Sequence, residues 1–282
     1  MIRINSPDSR LSFIDNQSDS ENVIVFIHGN SHNCTTFRSQ FEDPALAEYR
    51  LVALDLPGHG VSDALPGYQL KDLTDALKTL VDSLELRKYI LVGHSLGGHV
   101  VLESLSTLAP QGILIFGTPP LSRPLDLSAF RPHPSMALVG KNQLEAPEIQ
   151  ALLASFYHKR TVGPADVAEF NGTDLGFRES ISKSFGRGEF QDEVDLLNAY
   201  QGHKAVIYGS HDPMINPEYL KQKIDLSSLW KKGIVELASS HNLHVEDPLL
   251  FNQELANFAD LVFSGAINST SNFRREVSHE GP

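Results

Sequence analysis

A serine hydroxyl is a weak nucleophile at neutral pH. It becomes effective when a neutral imidazole takes its proton and a carboxylate orients that imidazole. One serine in this chain is set for such chemistry: an apolar run ends at Val92 and feeds Gly93-His94-Ser95-Leu96-Gly97-Gly98, with a helical pattern expected from about His99. In a strand–G-x-S-x-G–helix layout the glycines permit a sharp turn, and the serine projects from a strained elbow. The pattern by itself arises by chance in flexible loops; its place after a buried strand gives it weight. Ser95 is the expected nucleophile. After the apolar run 205–208 comes Gly209-Ser210-His211-Asp212-Pro213, where Asp212 is the expected acid and its competing reading is a plain turn former before proline. The run 233–237 leads into Ala238-Ser239-Ser240-His241-Asn242-Leu243-His244. His241 immediately follows the strand-end loop and is the expected base, while His244 falls at the start of the next helix. Nucleophile, acid, base is a chain order in which this constellation recurs.

A tetrahedral intermediate also needs N–H donors aimed at its oxyanion. Leu96, immediately after the nucleophile, is one expected donor. The other is Asn30, in the loop His28-Gly29-Asn30-Ser31 that ends the run 23–27. Gly29 would let the backbone approach a substrate closely, and His28 is read as a brace. The loop Asp55-Leu56-Pro57-Gly58-His59-Gly60-Val61-Ser62 is read as structural. His94, His99, His133, His158 and His203 are expected to pack or to lie on the surface, and Cys34 is read as a small buried residue without a base of its own. No H-E-x-x-H or comparable His/carboxylate cluster occurs, so no metal site is expected, and the serine chemistry requires no cofactor.

Short aliphatic runs at 23–27, 50–54, 89–92, 113–116, 205–208 and 233–237 alternate with helical patterns. Near-continuous apolar strands separated by helices predict a mostly parallel sheet covered on both faces, with ligands at the strands' carboxyl ends. The rhythm fails over 118–199, where seven prolines from Pro119 to Pro164 punctuate helical stretches with no convincing strand. A structureless loop of that length is improbable in a compact domain, so an inserted helical cap is expected there. Residues 1–117 and 200–264 then form the core, and 265–282 a flexible tail. The cap's Phe130, Met136, Leu152, Phe156, Tyr157, Phe170 and Phe185 need either a core or a ligand to cover them.

Composition narrows the partners. The formal net charge of −12 argues against phosphate backbones and anionic bilayers, so neither nucleic acid nor membrane is an expected partner. No window approaches the roughly 18 apolar residues of a membrane span. With one cysteine and a start lacking the apolar run of a secretory signal, the chain reads as cytoplasmic.

These motifs, in this order, resemble the α/β-hydrolase superfamily across nearly all of 23–263, and Ser240 is a departure, since the family usually has glycine before the catalytic histidine. Within it the chain looks most like the α/β-hydrolase-type N-acyl-homoserine lactonases. His28-Gly29-Asn30-Ser31, Ser95-Leu96-Gly97-Gly98-His99, Gly117-Thr118-Pro119-Pro120, Met136-Ala137-Leu138-Val139-Gly140 and Ser228-Leu229-Trp230 carry that likeness. The resemblance implies ring opening of a small-molecule lactone to N-acyl-homoserine, with Gly29, Met136, Leu152, Phe156 and Tyr157 as substrate contacts. In that group a cap hydroxyl can touch substrate; its counterpart here falls near Leu152, with Tyr157 as the substitute. The rivals are a general carboxylesterase, a C–C bond hydrolase, and a receptor that keeps the triad but turns over slowly.

Overall fold

The computed structural model describes residues 1–5 and 9–264. Eight strands make one sheet: β1 (Ile2–Asn5), β2 (Arg10–Asp15), β3 (Val23–Ile27), β4 (Arg50–Asp55), β5 (Tyr89–His94), β6 (Gly112–Phe116), β7 (His203–Gly209) and β8 (Val235–Leu237). They lie in the order β1-β2-β4-β3-β5-β6-β7-β8, with β1 and β2 antiparallel and β4 to β8 running parallel. The parallel part matches the expectation from the six apolar runs. The β1–β2 pair lay outside it. β1 alternates half-buried and exposed residues over four positions, too short a pattern to register as a strand without its partner.

Period-two alternation divides the core between the two faces of the sheet. Val23, Val25 and Ile27 of β3 join one cluster with Leu91, Ile113 and Ile115; Ile24 and Phe26 join the other with Ile90, Val92 and Phe116. Each such fully buried side chain contributes roughly 1.5–3 kcal/mol, an upper figure. Helices close both faces. After α1 (Arg38–Phe41), α2 (Leu70–Ser83) buries Leu70, Leu73, Leu77 and Leu80 at helical spacing on the first face. It starts with a capping box between Gln69 and Asp72. α3 (Leu96–Ser104) packs beside it.

Between β6 and β7 the described chain contains helices and no strand: α4 (Met136–Val139), α5 (Ala146–Ala154), α6 (Pro164–Asn171), α7 (Phe177–Gly186) and α8 (Glu193–Ala199). Leu152, Phe156, Phe170, Phe177 and Ile181 from this segment join the first-face cluster. The segment is anchored to the sheet's loops by hydrogen bonds from Asn242 N to Phe156 O at 3.1 Å and from Asp174 N to Gly58 O at 2.7 Å. α9 (Pro217–Lys223) and α10 (Leu243–Glu246) follow, and α11 (Pro248–Ser264) covers the second face with Phe251, Leu255, Phe258 and Val262. No helix among the described residues is long and apolar enough to cross a membrane. Residues 265–282, read from sequence as a flexible tail, lie outside the described residues.

The two boundaries on either side of Ser95 differ from the sequence reading. β5 continues through Gly93 and His94, and α3 begins at Leu96 rather than near His99. Gly97 and Gly98 argue against helix by propensity, but packing overrides it: a Cβ on Gly97 would collide with the carbonyl oxygen of Ile27 on β3. The helix can sit this close to the sheet only without a side chain there.

Candidate functional site

Ser95 joins β5 to α3 with φ 50° and ψ −117°, a conformation that side chains rarely adopt. Such strain persists only where its surroundings over-determine it. Here the Ser95 amide donates to Phe116 O at 2.9 Å, while the Ser95 carbonyl accepts from Gly98 N at 2.9 Å and from the Thr118 hydroxyl at 2.8 Å. The serine is thereby held at the sheet's carboxyl edge, at the N-terminus of α3.

His241 comes from the loop after β8 and Asp212 from the loop after β7. The His241 Nδ1–Asp212 Oδ2 distance is 2.7 Å, and the pair is almost wholly buried. The other carboxylate oxygen of Asp212 accepts from Met214 N at 2.8 Å and Ile215 N at 3.3 Å, which fixes its orientation. With Nδ1–H donated to Asp212, Nε2 of His241 is left to act on a hydroxyl. Ser95 and His241 line the same cavity of about 350 Å³, and Asp212 stands behind His241. His244, the rival base, is not on that cavity: it is fully buried, with Nε2 3.1 Å from the Thr36 hydroxyl. Burial and the neighbouring imidazoles hold it well below the ordinary histidine range. Ser240 does not occupy the left-handed region, so a side chain is accommodated before His241.

The 28–31 loop is clamped to the 55–62 loop by two neutral histidines. Nε2 of His28 accepts from Leu56 N at 3.0 Å, and Nε2 of His59 accepts from Ser31 N at 3.3 Å. Burial pushes both below the usual imidazole range, which keeps a lone pair available to accept. Asp55 completes the clamp by accepting from Cys34 N at 2.7 Å and Val61 N at 3.1 Å. Cys34 is buried, and burial pushes its thiol far up. Asn30 and Leu96 both reach the cavity, and neither backbone amide has an acceptor among the described residues. As the first residue of α3, Leu96 carries an N–H that the helix cannot satisfy. Gly29 is required by close approach, because a Cβ there would lie 2.8 Å from Nδ1 of His94.

Of the expected substrate contacts, Gly29, Met136, Leu152 and Phe156 line the cavity. Tyr157 is not brought there. Its hydroxyl instead donates to Asp166 at 3.0 Å and its ring carries the Arg160 guanidinium at 4.2 Å, so local partners turn it away. Polar groups on the cavity were given no role there by the sequence reading, which expected His99 only to pack or to lie on the surface. His99 is buried, with Nδ1 2.7 Å from Glu193, and Arg178 is a buried guanidinium on α7. A signal for Arg178 existed: it shares an i, i+3, i+7 stripe with Ile181 and Phe185, which marks it as inward-facing. His32 also lines the cavity, with its ring nitrogens 3.3 Å from Glu169 and from Asn242. No cluster of three or more His, Cys, Asp or Glu side chains able to hold a metal occurs among the described residues.

A family model described as "Alpha/beta hydrolase family" matches residues 24–254. The chain belongs to the alpha/beta hydrolase family. Among curated relatives, the dihydrolipoyllysine-residue acetyltransferase component of the acetoin cleaving system of Pseudomonas putida is 42% identical over 92 residues, 32% of this chain and 24% of that protein. The 2-succinyl-6-hydroxy-2,4-cyclohexadiene-1-carboxylate synthase of Escherichia coli O157:H7 is 39% identical over 79 residues, 28% of this chain and 31% of that protein. These matches span less than a third of each relative's own length. Solved structures match throughout. N-acyl homoserine lactonase AidH complexed with N-butanoyl homoserine aligns with a TM-score of 0.87 at 23% identity, over 99% of both chains. The esterase EaEST from Exiguobacterium antarcticum aligns at 0.73 with 19% identity, over 92% of this chain and 98% of its own. At such identities these two likenesses establish the alpha/beta hydrolase fold of this member.

Proposed function

We propose that this alpha/beta hydrolase is a serine-dependent ester and lactone hydrolase, with Ser95 as nucleophile, His241 as general base and Asp212 as its orienting acid. N-acyl-homoserine lactones are its proposed substrates. The observation that carries the reading is the strained Ser95 elbow on one cavity with His241, whose Nδ1 is engaged by Asp212. Ser95 Oγ attacks the ring carbonyl as His241 Nε2 takes its proton. The amides of Asn30 and Leu96 hold the oxyanion, and the proton passes from His241 to the departing ring oxygen. A water activated by His241 then cleaves the acyl-enzyme and releases N-acyl-homoserine. Asp212 stabilises the imidazolium formed at each step. No step calls on a metal or an organic cofactor.

The 118–199 segment acts in this reading as a cap that receives the acyl chain. Met136, Leu152, Phe156 and Phe185 give that side of the cavity an apolar wall. Each methylene buried against it contributes roughly 0.8 kcal/mol, so affinity should rise with chain length until the cavity is filled.

The test is incubation with N-acyl-homoserine lactones of several chain lengths, chelator present, followed by product mass, for wild type and Ser95→Ala. Gain of one water by wild type alone supports the whole reading. Persistence of the lactones with Ser95-dependent cleavage of aryl esters keeps the nucleophile and makes the protein a carboxylesterase.

A further inference from the structure

Arg178 sits on α7 with 2% of its surface exposed, on the wall of the same cavity. A guanidinium carries five N–H donors and a fixed charge. Its partners here are all neutral. Nε donates to the Ser31 hydroxyl at 2.9 Å, one terminal nitrogen donates to the Phe170 carbonyl at 2.7 Å, and the plane lies 3.7 Å from the centre of the Phe170 ring. The nearby carboxylate of Glu169 is turned elsewhere, to His32 and to the Asn33 amide. No carboxylate pairs with Arg178 among the described residues, and burial alone draws its pKa down to about 10, still charged at neutral pH. A buried cation without a counter-charge is costly. Spare donors on a substrate cavity are satisfied when a ligand supplies an oxygen.

We propose that Arg178 is a specificity residue that donates to an acceptor oxygen of the substrate lying away from the scissile carbonyl. The preferred substrates are then esters or lactones whose non-reacting part carries an amide, keto or carboxylate oxygen, over those whose remainder is wholly apolar. The inference rests on the hydrolase reading of this cavity and deepens it. Within that reading the amide of an acyl-homoserine lactone is one such oxygen. Because Arg178 also holds Ser31, next to Asn30, an occupant that engages the guanidinium is coupled to the loop carrying the proposed oxyanion donor.

Two matched pairs test it. One is N-hexanoyl homoserine lactone against an alkyl γ-lactone of the same reach; the other is the p-nitrophenyl monoester of succinic acid against p-nitrophenyl butanoate, each corrected for spontaneous hydrolysis. Wild type is expected to favour the oxygen-bearing member of a pair by roughly tenfold in kcat/KM, the worth of a charged hydrogen bond. Arg178→Met is expected to bring that ratio close to one, mainly through the oxygen-bearing substrate. Arg178→Lys, which keeps charge but loses the planar fork, should fall between. Which pair shows the preference separates an amide or keto oxygen from a carboxylate. Absence of preference by wild type in both pairs, or its survival in Arg178→Met, overturns the proposal. Should Arg178→Met fail to fold by circular dichroism, an unchanged ratio in Arg178→Lys overturns it instead. If no lactone is opened while the aryl pair separates as described, the lactone substrate fails and the assignment of Arg178 stands.

Discussion

Of the histidine–carboxylate pairs whose imidazoles line the cavity, two share the shortest contact, and they are not equivalent. His241–Asp212 and His99–Glu193 have the same 2.7 Å separation between Nδ1 and a carboxylate oxygen. The first is built from two strand-end loops, and the second carboxylate oxygen of Asp212 is held by two backbone amides. The second pair is built from helices. His99 lies on α3 with its ring 5.5 Å from that of Phe185, and Glu193 opens α8. One Glu193 oxygen serves both His99 and Leu121 N, while the other has no partner among the described residues. Burial pushes the Glu193 carboxyl upward. A short His–carboxylate contact is therefore no mark of a general base. What matters is whether the ring's free nitrogen is delivered to a nucleophile, and the strand-end loops deliver His241 to the edge where Ser95 stands, whereas α3 and α8 fasten His99 into the wall that joins them.

The sharpest break between the pairs lies in turnover. His241→Ala and Asp212→Asn are each expected to lower kcat on an activated ester by about 10⁴-fold, because one removes the proposed base and the other the carboxylate proposed to orient it. The matching His99→Ala should cost less than about tenfold; a loss equal to that of His241→Ala would move the base to the helical pair. Gly97→Ala probes the seat that holds α3, and with it His99, against β3. Its Cβ meets the Ile27 carbonyl, so overpacking that costs about 1–3 kcal/mol of stability, read as a lowered Tm or as insoluble protein, is expected. A wild-type Tm would show that the helix can shift away.

The smallest effect concerns protons. The folded-state pKa of Glu193 lies above its unfolded value, so its stability contribution is full below the unfolded pKa and is lost as pH rises through the folded one. Glu193→Gln removes that dependence. The Tm difference between variant and wild type, measured from pH 4 to pH 8, should move in the variant's favour as pH rises. A difference independent of pH would show that His99 already neutralises the carboxylate.

The parallel sheet was legible because β3, β5 and β6 are buried on both faces and read as continuous aliphatic runs. Ser95 and Asp212 were legible because each comes just after such a run; His241 follows the shorter β8, which is only partly buried. The choice of His241 over His244 could be argued only from distance to the strand end, and the cavity places them apart. Tyr157 shows the opposite case. As an aromatic hydroxyl in the helical segment it suited a substrate contact, yet Asp166 and Arg160 take up its hydroxyl and ring. The hairpin of β1 and β2 went unread because its edge strand buries little and earns its regularity from its neighbour.

The sequence by itself determined the parallel part of the sheet and the loops that bear the polar groups, because hydrophobic periodicity and glycine-bounded turns are local properties of the chain. Only the tertiary structure decided what stands opposite Ser95. That wall comes from the 118–199 segment, whose helices bury most of their aromatics in the core and leave Arg178 on the cavity. The stripe of Arg178, Ile181 and Phe185 marks the inward face of its helix, but whether core or cavity lies beneath that face is set by packing between distant elements.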